Sequence, residues 1–426
     1  MMTGFDELKE WVLASWSAQG EFREAAETEY AFVAGHQWTS SEKAALEENS
    51  RVPIVFNRTA VILSSVAGSE INNRTEVRFI PREIGDANVN EVLTAGAEWF
   101  RDQANAEDED SEAFMDTLIC GLGVTDTTLD FDTDPEGKPE IKRLDPLEFG
   151  WDHYASRKGL QDARYFFHVA TTPTAEAEDR FPKFTTSEID ASWARKTADS
   201  SEHLNVAGDE YTGDGDEYDS QRDTVTVVRI QYRERQRLVE YIDPTNGEKA
   251  EMEQSKWDAI LKRIPMAPPS RSFSRWEWKQ AFLGRAEIID ENQPDKNSST
   301  FNVITGHWDR KDKRWFGLLR SMIDPQKYAN KWLSQTLHII NSNAKGGVMA
   351  EAGAVDDTQS FEDSWAAADG VTWMKDGALA AGRLQPKPSV QMPSALMSLT
   401  EFAISSIRDV SGVNMELLGL RDANQP

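Results

Sequence analysis

Hydrophobic side chains recur every three or four residues in the first third of the chain. This spacing runs from Glu7 to Ala34, from Thr59 to Glu70, from Asn88 to Ala106 and from Glu112 to Cys120, and it predicts amphipathic helices. The acidic run "EDEDSE" separates the third of these helices from the fourth. A further short helix is predicted after Thr39, because a Thr-Ser-Ser cap precedes an acidic first turn there.

The middle of the chain changes to an alternating pattern. "GVTDTTLDFDTDPEGKPEIKRLDP" alternates on both sides of a Pro/Gly turn, which predicts a β-hairpin. "LQDARYFFHVATTP" predicts a further strand followed by a helix over 174–181, and "TVTVVRIQYRERQRLVEYIDPTNGEK" predicts a second hairpin. Earlier in the chain, "TEVRFIPRE" predicts an edge strand. The acidic, Gly-rich residues 200–223 are predicted to form a loop.

Helices return in the last part of the chain. We predict a helix over 251–264, a β-leaning segment rich in Arg and Trp over 265–316, a second helix over 325–343 and a last helix over 394–410. Asp324 and Pro325 fit the N-cap and first position of the second helix. The pattern as a whole predicts an α+β protein.

The helix over 325–343 carries apolar residues on more than one face: Tyr328, Trp332, Leu333, Leu337, Ile339 and Ile340. Polar residues fill the remainder: Gln326, Asn330, Ser334, Gln335 and Asn341. This distribution indicates a helix that buries two faces against neighbours and leaves a narrow polar strip.

The charge of the chain changes sign locally. The chain has 426 residues, 73 of them acidic, and a formal net charge of −27; such a charge is atypical of a protein that coats DNA through a basic face. Nevertheless, Pro325 to Ala350 contains no carboxylate, and its lysines are Lys327, Lys331 and Lys345. These lysines are candidates to contact either DNA or acidic neighbours. The alternative is a helix that pairs with acidic surface elsewhere in the same chain.

The sequence contains no recognisable catalytic motif. Its six histidines are scattered, Cys120 is the single cysteine, and no phosphate-binding Gly-Lys-Ser/Thr loop occurs, so we predict no catalytic, metal or cofactor site. "CGLGV" is interpreted as a tight turn between a helix and a strand. Two acidic loops have partial calcium-loop spacing but are interpreted as solvated; their residues are Asp130, Asp132, Asp134, Asp214, Asp216 and Asp219. A soluble hydrolase with buried carboxylates stays open as an alternative.

Six segments, in this order, resemble the portal (head–tail connector) proteins of tailed bacteriophages, in the branch of the short-tailed phages. They are "FVAGHQW", "RVPIVFNRTAVILSSVAGSEINNR", "CGLGV", "LDPLEFGWDHYA…LQDARY", "IDPQKYANKWLS" and "ISSIRDVSGVNMELLG". Another virion component, such as a tail adaptor, is the second alternative.

The resemblance implies the portal fold, with a wing, a two-helix stem, a clip and a crown. On this chain the wing is expected over 1–245, stem helix one over 246–264, the clip over 265–316 and stem helix two over 317–345. A wing return with the tunnel-loop region is expected over 346–392, and the start of the crown over 393–426. Since portals of this branch continue into a longer crown, we expect the crown to be incomplete here.

The resemblance also implies partners and a location. It implies a homo-oligomeric ring of about twelve subunits at the capsid vertex of the virion, made in the cytoplasm of a host bacterium. The ring would contact the terminase large subunit, head–tail adaptor or tail proteins, and major capsid and scaffolding proteins. Double-stranded DNA would pass through it without sequence specificity. No membrane partner and no cofactor are expected. The candidate clip interface is formed by Arg271, Arg275, Trp276, Trp278, Lys279 and Arg285.

Overall fold

A computed structural model describes the architecture of the chain. The described residues are 4–49, 51–74, 77–81, 87–131, 134–196, 224–242, 248–262, 269–292, 296–344, 348–351, 353–355, 357–366, 373–386 and 394–413. They mix helices with antiparallel strands, as an α+β protein requires. The chain divides into two compact units. The first comprises 4–31 and 63–320 of the described part, and the second comprises 32–62 and 321–413.

The N-terminal helices are α1 (Phe5–Ala18), α2 (Gly20–Val33), α3 (Ser40–Glu48), α4 (Thr59–Asn72), α5 (Ala87–Gln103) and α6 (Ala106–Ile119). The single helix predicted over 7–34 is therefore wrong in one respect, because it is divided at Gln19, next to Gly20. The edge strand predicted in "TEVRFIPRE" is also wrong for 77–81, which form no strand; the other residues of that segment lie mostly outside the described part.

The acidic run predicted to separate two helices is instead the beginning of α6. Glu107, Asp108 and Glu109 occupy its first turn, where the free backbone N–H groups and the helix dipole favour negative charge. Helix α6 therefore begins six residues earlier than predicted.

Two sheets of three or more strands form most of the β-structure described in the first unit. The smaller one has the order β2-β1-β9, with β1 (Leu122–Asp130), β2 (Lys138–Leu144) and β9 (Phe301–Thr305). The pairing of β1 with β2 confirms the predicted hairpin. Asp132 and the second acidic loop, with Asp214, Asp216 and Asp219, lie outside the described residues.

The larger sheet has six antiparallel strands in the order β3-β4-β5-β7-β8, with β6 also paired to β5. Its strands are β3 (Phe149–Trp151), β4 (Tyr165–Pro173), β5 (Thr224–Ile242), β6 (Lys249–Glu253), β7 (Ser270–Leu283) and β8 (Ile288–Asn292). The pairing of β5 with β6 confirms the second predicted hairpin. Strands from 265–316 thus pair with strands from 1–245, through β7 with β5 and β9 with β1.

Both faces of this larger sheet are covered. Tyr165 and Phe167 of β4 pack with α1 in one apolar cluster, whereas Phe166 between them belongs to a second cluster with Phe22 and Trp151. Alternate residues of a strand point to opposite faces, so the continuous aromatic run "YFF" is the signature of a strand that is buried on both sides.

The short helices are α7 (Thr174–Arg180), α8 (Thr186–Ile189), α9 (Trp193–Lys196) and α10 (Gln254–Leu261). The helix predicted over 251–264 is therefore shorter than expected, because 249–253 alternate and pair with β5. Two small strands, β10 (His307–Asp309) and β11 (Arg314–Phe316), precede α11 (Leu319–Ala344). After it come β12 (Val348–Ala350), α12 (Thr358–Ala366), β13 (Leu384–Pro386) and α13 (Ser394–Ser411), which confirms the last predicted helix.

The "CGLGV" segment forms the turn between α6 and β1 that the sequence predicts. Gly121 has a φ of 86°, a left-handed conformation that side chains with a Cβ rarely adopt. A Cβ at Gly121 would also overlap the backbone of Phe316, and one at Gly123 would overlap the carbonyl oxygen of Ala113. Both glycines therefore allow close backbone packing.

Replacement of Gly123 by Ala is expected to lower the melting temperature by about 5 °C or more, because the methyl group has no room beside α6. Gly96→Ala is the matched control, since Gly96 lies within α5 and a Cβ there meets nothing within 4 Å. The control should leave the melting temperature unchanged or raise it. Circular dichroism melting of both variants is the measurement, and equal melting temperatures would contradict the expectation.

Candidate functional site

Helix α11 is the element on which the predicted interface lies. It begins at Leu319, six residues before the predicted start, and Pro325 lies inside it. The N-cap and first-position roles predicted for Asp324 and Pro325 are therefore wrong. The buried side chains of Leu319 and Met322 explain the earlier start, because an apolar face that is already in the core extends the helix. Pro325 lacks an N–H and so removes one hydrogen bond of the helix ladder.

Three polar residues of α11 are almost completely buried. Gln326, Asn330 and Ser334 are 0%, 1% and 1% exposed. They are spaced by four residues and therefore lie on one face. The sequence analysis predicted that the polar residues form a narrow strip outside the buried faces of the helix. This prediction is wrong for Gln326, Asn330 and Ser334, which are buried.

These side chains bind an extended segment, residues 51–58, through its backbone. The N–H of Ile54 donates to Ser334 Oγ at 3.1 Å, that of Phe56 to Asn330 Oδ1 at 3.1 Å, and that of Arg58 to Gln326 Oε1 at 3.3 Å. Two residues of an extended chain advance about 6.6–6.8 Å, and four residues of a helix advance about 6 Å. Because these two repeats nearly match, one helix face can serve every second N–H of the segment. We call this set of hydrogen bonds the side-chain ladder.

Further hydrogen bonds close the side-chain ladder. Gln326 Nε2 donates to Phe56 O at 2.7 Å and to Asn330 Oδ1 at 3.0 Å. Asn330 Nδ2 donates to Gln37 Oε1 at 2.6 Å, and Gln37 is itself 3% exposed. A buried polar network is stabilising only when its members are satisfied, so each of these amides depends on the others.

Lys331 and α3 are connected by an ion pair in the same unit. Thr39 caps α3 in a capping box with Glu42, and Lys331 Nζ lies 3.1 Å from Glu42 Oε1. The backbone N–H of Thr39 is the main cause that lowers the pKa of Glu42, and Lys331 contributes in the same direction. Since Lys331 is half exposed, this surface pair contributes little to stability.

The other two candidate lysines are Lys327 and Lys345. Lys327 is half-buried on α11, four residues before Lys331, so both lie on the same side of the helix. Lys345 lies outside the described residues.

Two apolar residues of α11 are exposed in the single chain, and the burial of two helix faces against neighbours stays a prediction. Ile339 is buried, but Tyr328 and Ile340 are 54% and 51% exposed. Trp332 is half-buried, and its ring lies 5.6 Å from that of Tyr328. The second unit therefore presents apolar and basic side chains together on α11.

Three of the residues predicted for the clip interface have exposed side chains. Arg271 and Trp276 lie on β7, Trp276 being 55% exposed, and Arg285 follows β7. They are available to a partner.

The other three predicted residues are engaged within the first unit. Arg275 forms ion pairs with Glu251 at 3.2 Å and Glu277 at 2.9 Å, and Lys279 lies 2.5 Å from Glu234. Trp278 is 8% exposed and stacks on Phe166. The core accounts for Trp278 without an interface.

Two buried ionisable groups of the first unit, Asp116 and Cys120, are engaged in structural contacts. Asp116 accepts hydrogen bonds from Tyr30 at 2.7 Å and Arg143 at 2.5 Å, and burial is the main cause that raises its pKa. Burial also raises the pKa of Cys120 to about 12, so its thiol stays protonated and unreactive.

Within the described ranges, no group of three or more His, Cys, Asp or Glu side chains could hold a metal ion. No helix in that part of the chain combines the length and apolar character needed to cross a bilayer.

Sequence reasoning missed the side-chain ladder. The sequence analysis assigned Gln326, Asn330 and Ser334 to a narrow polar strip, and it did not identify Gln37 as a contact residue. These three polar residues recur every four positions and therefore lie on one helix face, and this spacing is the feature of the sequence that indicates a polar contact surface.

Asn330→Ala is expected to loosen the segment over 52–58, because it removes the acceptor of Phe56 N–H and the donor to Gln37. We expect about tenfold faster hydrogen exchange at Phe56, since an unsatisfied buried N–H costs roughly 1–3 kcal/mol. Hydrogen-exchange mass spectrometry of peptides that cover this segment is the measurement. Asn341→Ala is the control, because Asn341 has the same amide on an exposed position of α11; equal exchange in both variants would contradict the role of the ladder.

Comparison with known proteins places the chain in a family. The family model described as "Phage P22-like portal protein" matches residues 9–426. A portal protein of Helicobacter pylori bacteriophage KHP30 is 22% identical over 405 residues, which are 95% of this chain and 56% of that relative. The chain thus spans about half the length of that curated relative. Because the family match extends over nearly the whole sequence, the chain belongs to the family of phage P22-like portal proteins.

Proposed function

We propose that copies of this chain assemble into a closed ring that forms the DNA conduit at one vertex of a bacteriophage capsid. The observation that carries the proposal is the family match over residues 9–426. In this role the ring docks the terminase motor during genome packaging and the tail during ejection. It is a structural component of the virion, made in the host cytoplasm, and it contacts tail adaptor, major capsid and scaffolding proteins.

The exposed surface of α11 supports a role between neighbouring subunits. Its polar face is satisfied within the chain by the side-chain ladder, whereas Tyr328 and Ile340 remain more than half exposed. Ring contacts join two different surfaces of adjacent copies and close by rotation. In the proposed ring, α11 acts as a stem helix, with Lys327 and Lys345 directed to DNA or to acidic neighbours. Lys331 shares this role with its ion pair to Glu42 of the same chain.

The net charge of the chain fits a conduit rather than a DNA-binding surface. At −27 per copy, a ring of about twelve copies repels the phosphate backbone, so DNA slides instead of binding tightly. The lysines of α11 would then centre the duplex or pair with carboxylates of the next copy. The exposed residues Arg271, Trp276 and Arg285 are proposed as the partner-facing part of the clip.

The proposal predicts a closed ring with about twelvefold rotational symmetry. Negative-stain imaging of the full chain at high concentration, with class averages in which the copies are counted, is the measurement. Particles that remain monomeric at every concentration tested would contradict the proposed function.

Charge reversal on α11 is a second test. We expect the double variant Lys327→Glu with Lys331→Glu to lower ring yield or DNA packaging by about tenfold, because it puts repulsion where DNA or acidic side chains lie. The single variant Lys327→Glu, which leaves the Lys331–Glu42 ion pair intact, should show part of this loss. Lys158→Glu with Lys183→Glu is the matched control, since both lysines are exposed and the change in net charge is identical. If both double variants assemble and package normally, Lys327 and Lys331 are ordinary surface residues.

A further inference from the structure

Helix α3 buries none of its residues within the chain. Its N-terminus is capped by the capping box of Thr39, and Glu42 in its first turn also pairs with Lys331. Short isolated helices are marginal in water, and most helices owe their stability to a packed apolar face. The apolar side of α3, at Ala45 and Leu46, is therefore positioned for packing that the described residues of its own chain do not complete.

That side of α3 faces a groove within the second unit, which we call the α3–α11 groove. The groove has a volume of about 420 Å³, within the range of cavities that hold several side chains or a small molecule. Its apolar walls are formed by Trp38, Ala45, Leu46 and Trp332. Its polar lining consists of Glu42, Asn49, Arg51, Lys331 and Gln335, and Glu42 is already paired with Lys331.

Arg51 gives the groove a chemical preference. Its Nε is shielded from solvent and has no hydrogen-bond partner among the residues that the structure describes. A shielded guanidinium donor without an acceptor is costly, and a carboxylate matches the planar geometry of the guanidinium. The groove is therefore complementary to an apolar side chain that lies next to a carboxylate.

A second copy of this chain has that chemistry. From Pro325 to Ala350 the sequence has no carboxylate, whereas the whole chain carries a net charge of −27, so the surfaces of another copy are complementary in charge to α11. The first unit also exposes aromatic side chains in acidic surroundings. Trp99 is 58% exposed next to Glu98, and Phe131 is 59% exposed shortly before Asp134.

We infer that the α3–α11 groove receives an acidic, aromatic surface segment of a neighbouring copy of this chain. This inference rests on the ring proposed above and adds the receptor surface of the contact between copies. The bound segment inserts an apolar side chain between Trp38, Leu46 and Trp332 and pairs a carboxylate with Arg51. The contact joins two different surfaces, as a closed ring requires.

The first test measures ring stability in groove variants of the full chain. Ala45→Trp fills the groove, and Arg51→Glu repels the incoming carboxylate. We expect each to raise the protein concentration at half-dissociation of the ring at least about tenfold, as for a central contact of an interface. Mass photometry over a dilution series gives this concentration.

Ala44→Trp is the matched control, since Ala44 is exposed on α3 and does not line the groove. The control should stay within about twofold of the wild type. Melting curves of each variant confirm that it is folded; because Ala45 is itself exposed, its replacement is compatible with the fold.

The outcomes separate the inference from the proposed function. If the wild type forms a ring and both groove variants dissociate like the control, the inference is overturned and the ring stands. If the wild type forms no ring at any concentration, the proposed function fails and the inference fails with it.

A cross-link identifies the occupant directly. A genetically encoded diazirine analogue of leucine at Leu46, which lines the groove, adds almost no volume and so leaves room for the bound segment. Illumination of the assembled ring should join position 46 to an acidic, aromatic peptide of another copy, and the same analogue at Ala44 should give at least about fivefold less of that product. The absence of cross-links between copies would overturn the inference.

Discussion

The second unit depends on the hydrogen bonds between an extended segment and the side chains of a helix. Backbone N–H groups of an extended segment that packs against a helix must find acceptors, and in a sheet a neighbouring strand supplies them. Here the acceptors are Gln326, Asn330 and Ser334 on α11. Because two residues of the segment advance nearly as far as four residues of the helix, the register of 54–58 on α11 is determined by side-chain chemistry.

This arrangement has a consequence for the surface of α11. Its polar residues are used inside the unit, and so the residues left for other molecules are aromatic, aliphatic and basic, such as Tyr328, Ile340 and Lys327. A surface of that composition in a strongly acidic chain is complementary to other parts of the same chain. Burial of the polar face and exposure of apolar residues thus both support the contact between copies that we propose.

Much of the fold could be predicted from local patterns. Alternation, turn residues and helical spacing depend only on neighbours in sequence. They predicted the hairpins β1–β2 and β5–β6, the turn at "CGLGV" and helix α13. The errors arose where other forces act. The acidic run "EDEDSE" was misassigned because composition alone does not reveal a helix N-terminus that is stabilised by charge. The start of α11 was misplaced because burial of Leu319 and Met322 outweighs the preference of proline for a first turn.

By itself the sequence determined the mixed α and β composition, the contrast between an acidic chain and a carboxylate-free helix, and the ordered segments that resemble portal proteins. These properties depend on residue type and spacing, which can be read without coordinates. Only the tertiary structure decided that Trp278 lies in the core, that Lys331 pairs with Glu42 and that the polar face of α11 is buried. Those outcomes depend on contacts such as that of Asn330 with Phe56, 274 residues apart in the chain, and local sequence does not encode which distant backbone will supply a partner.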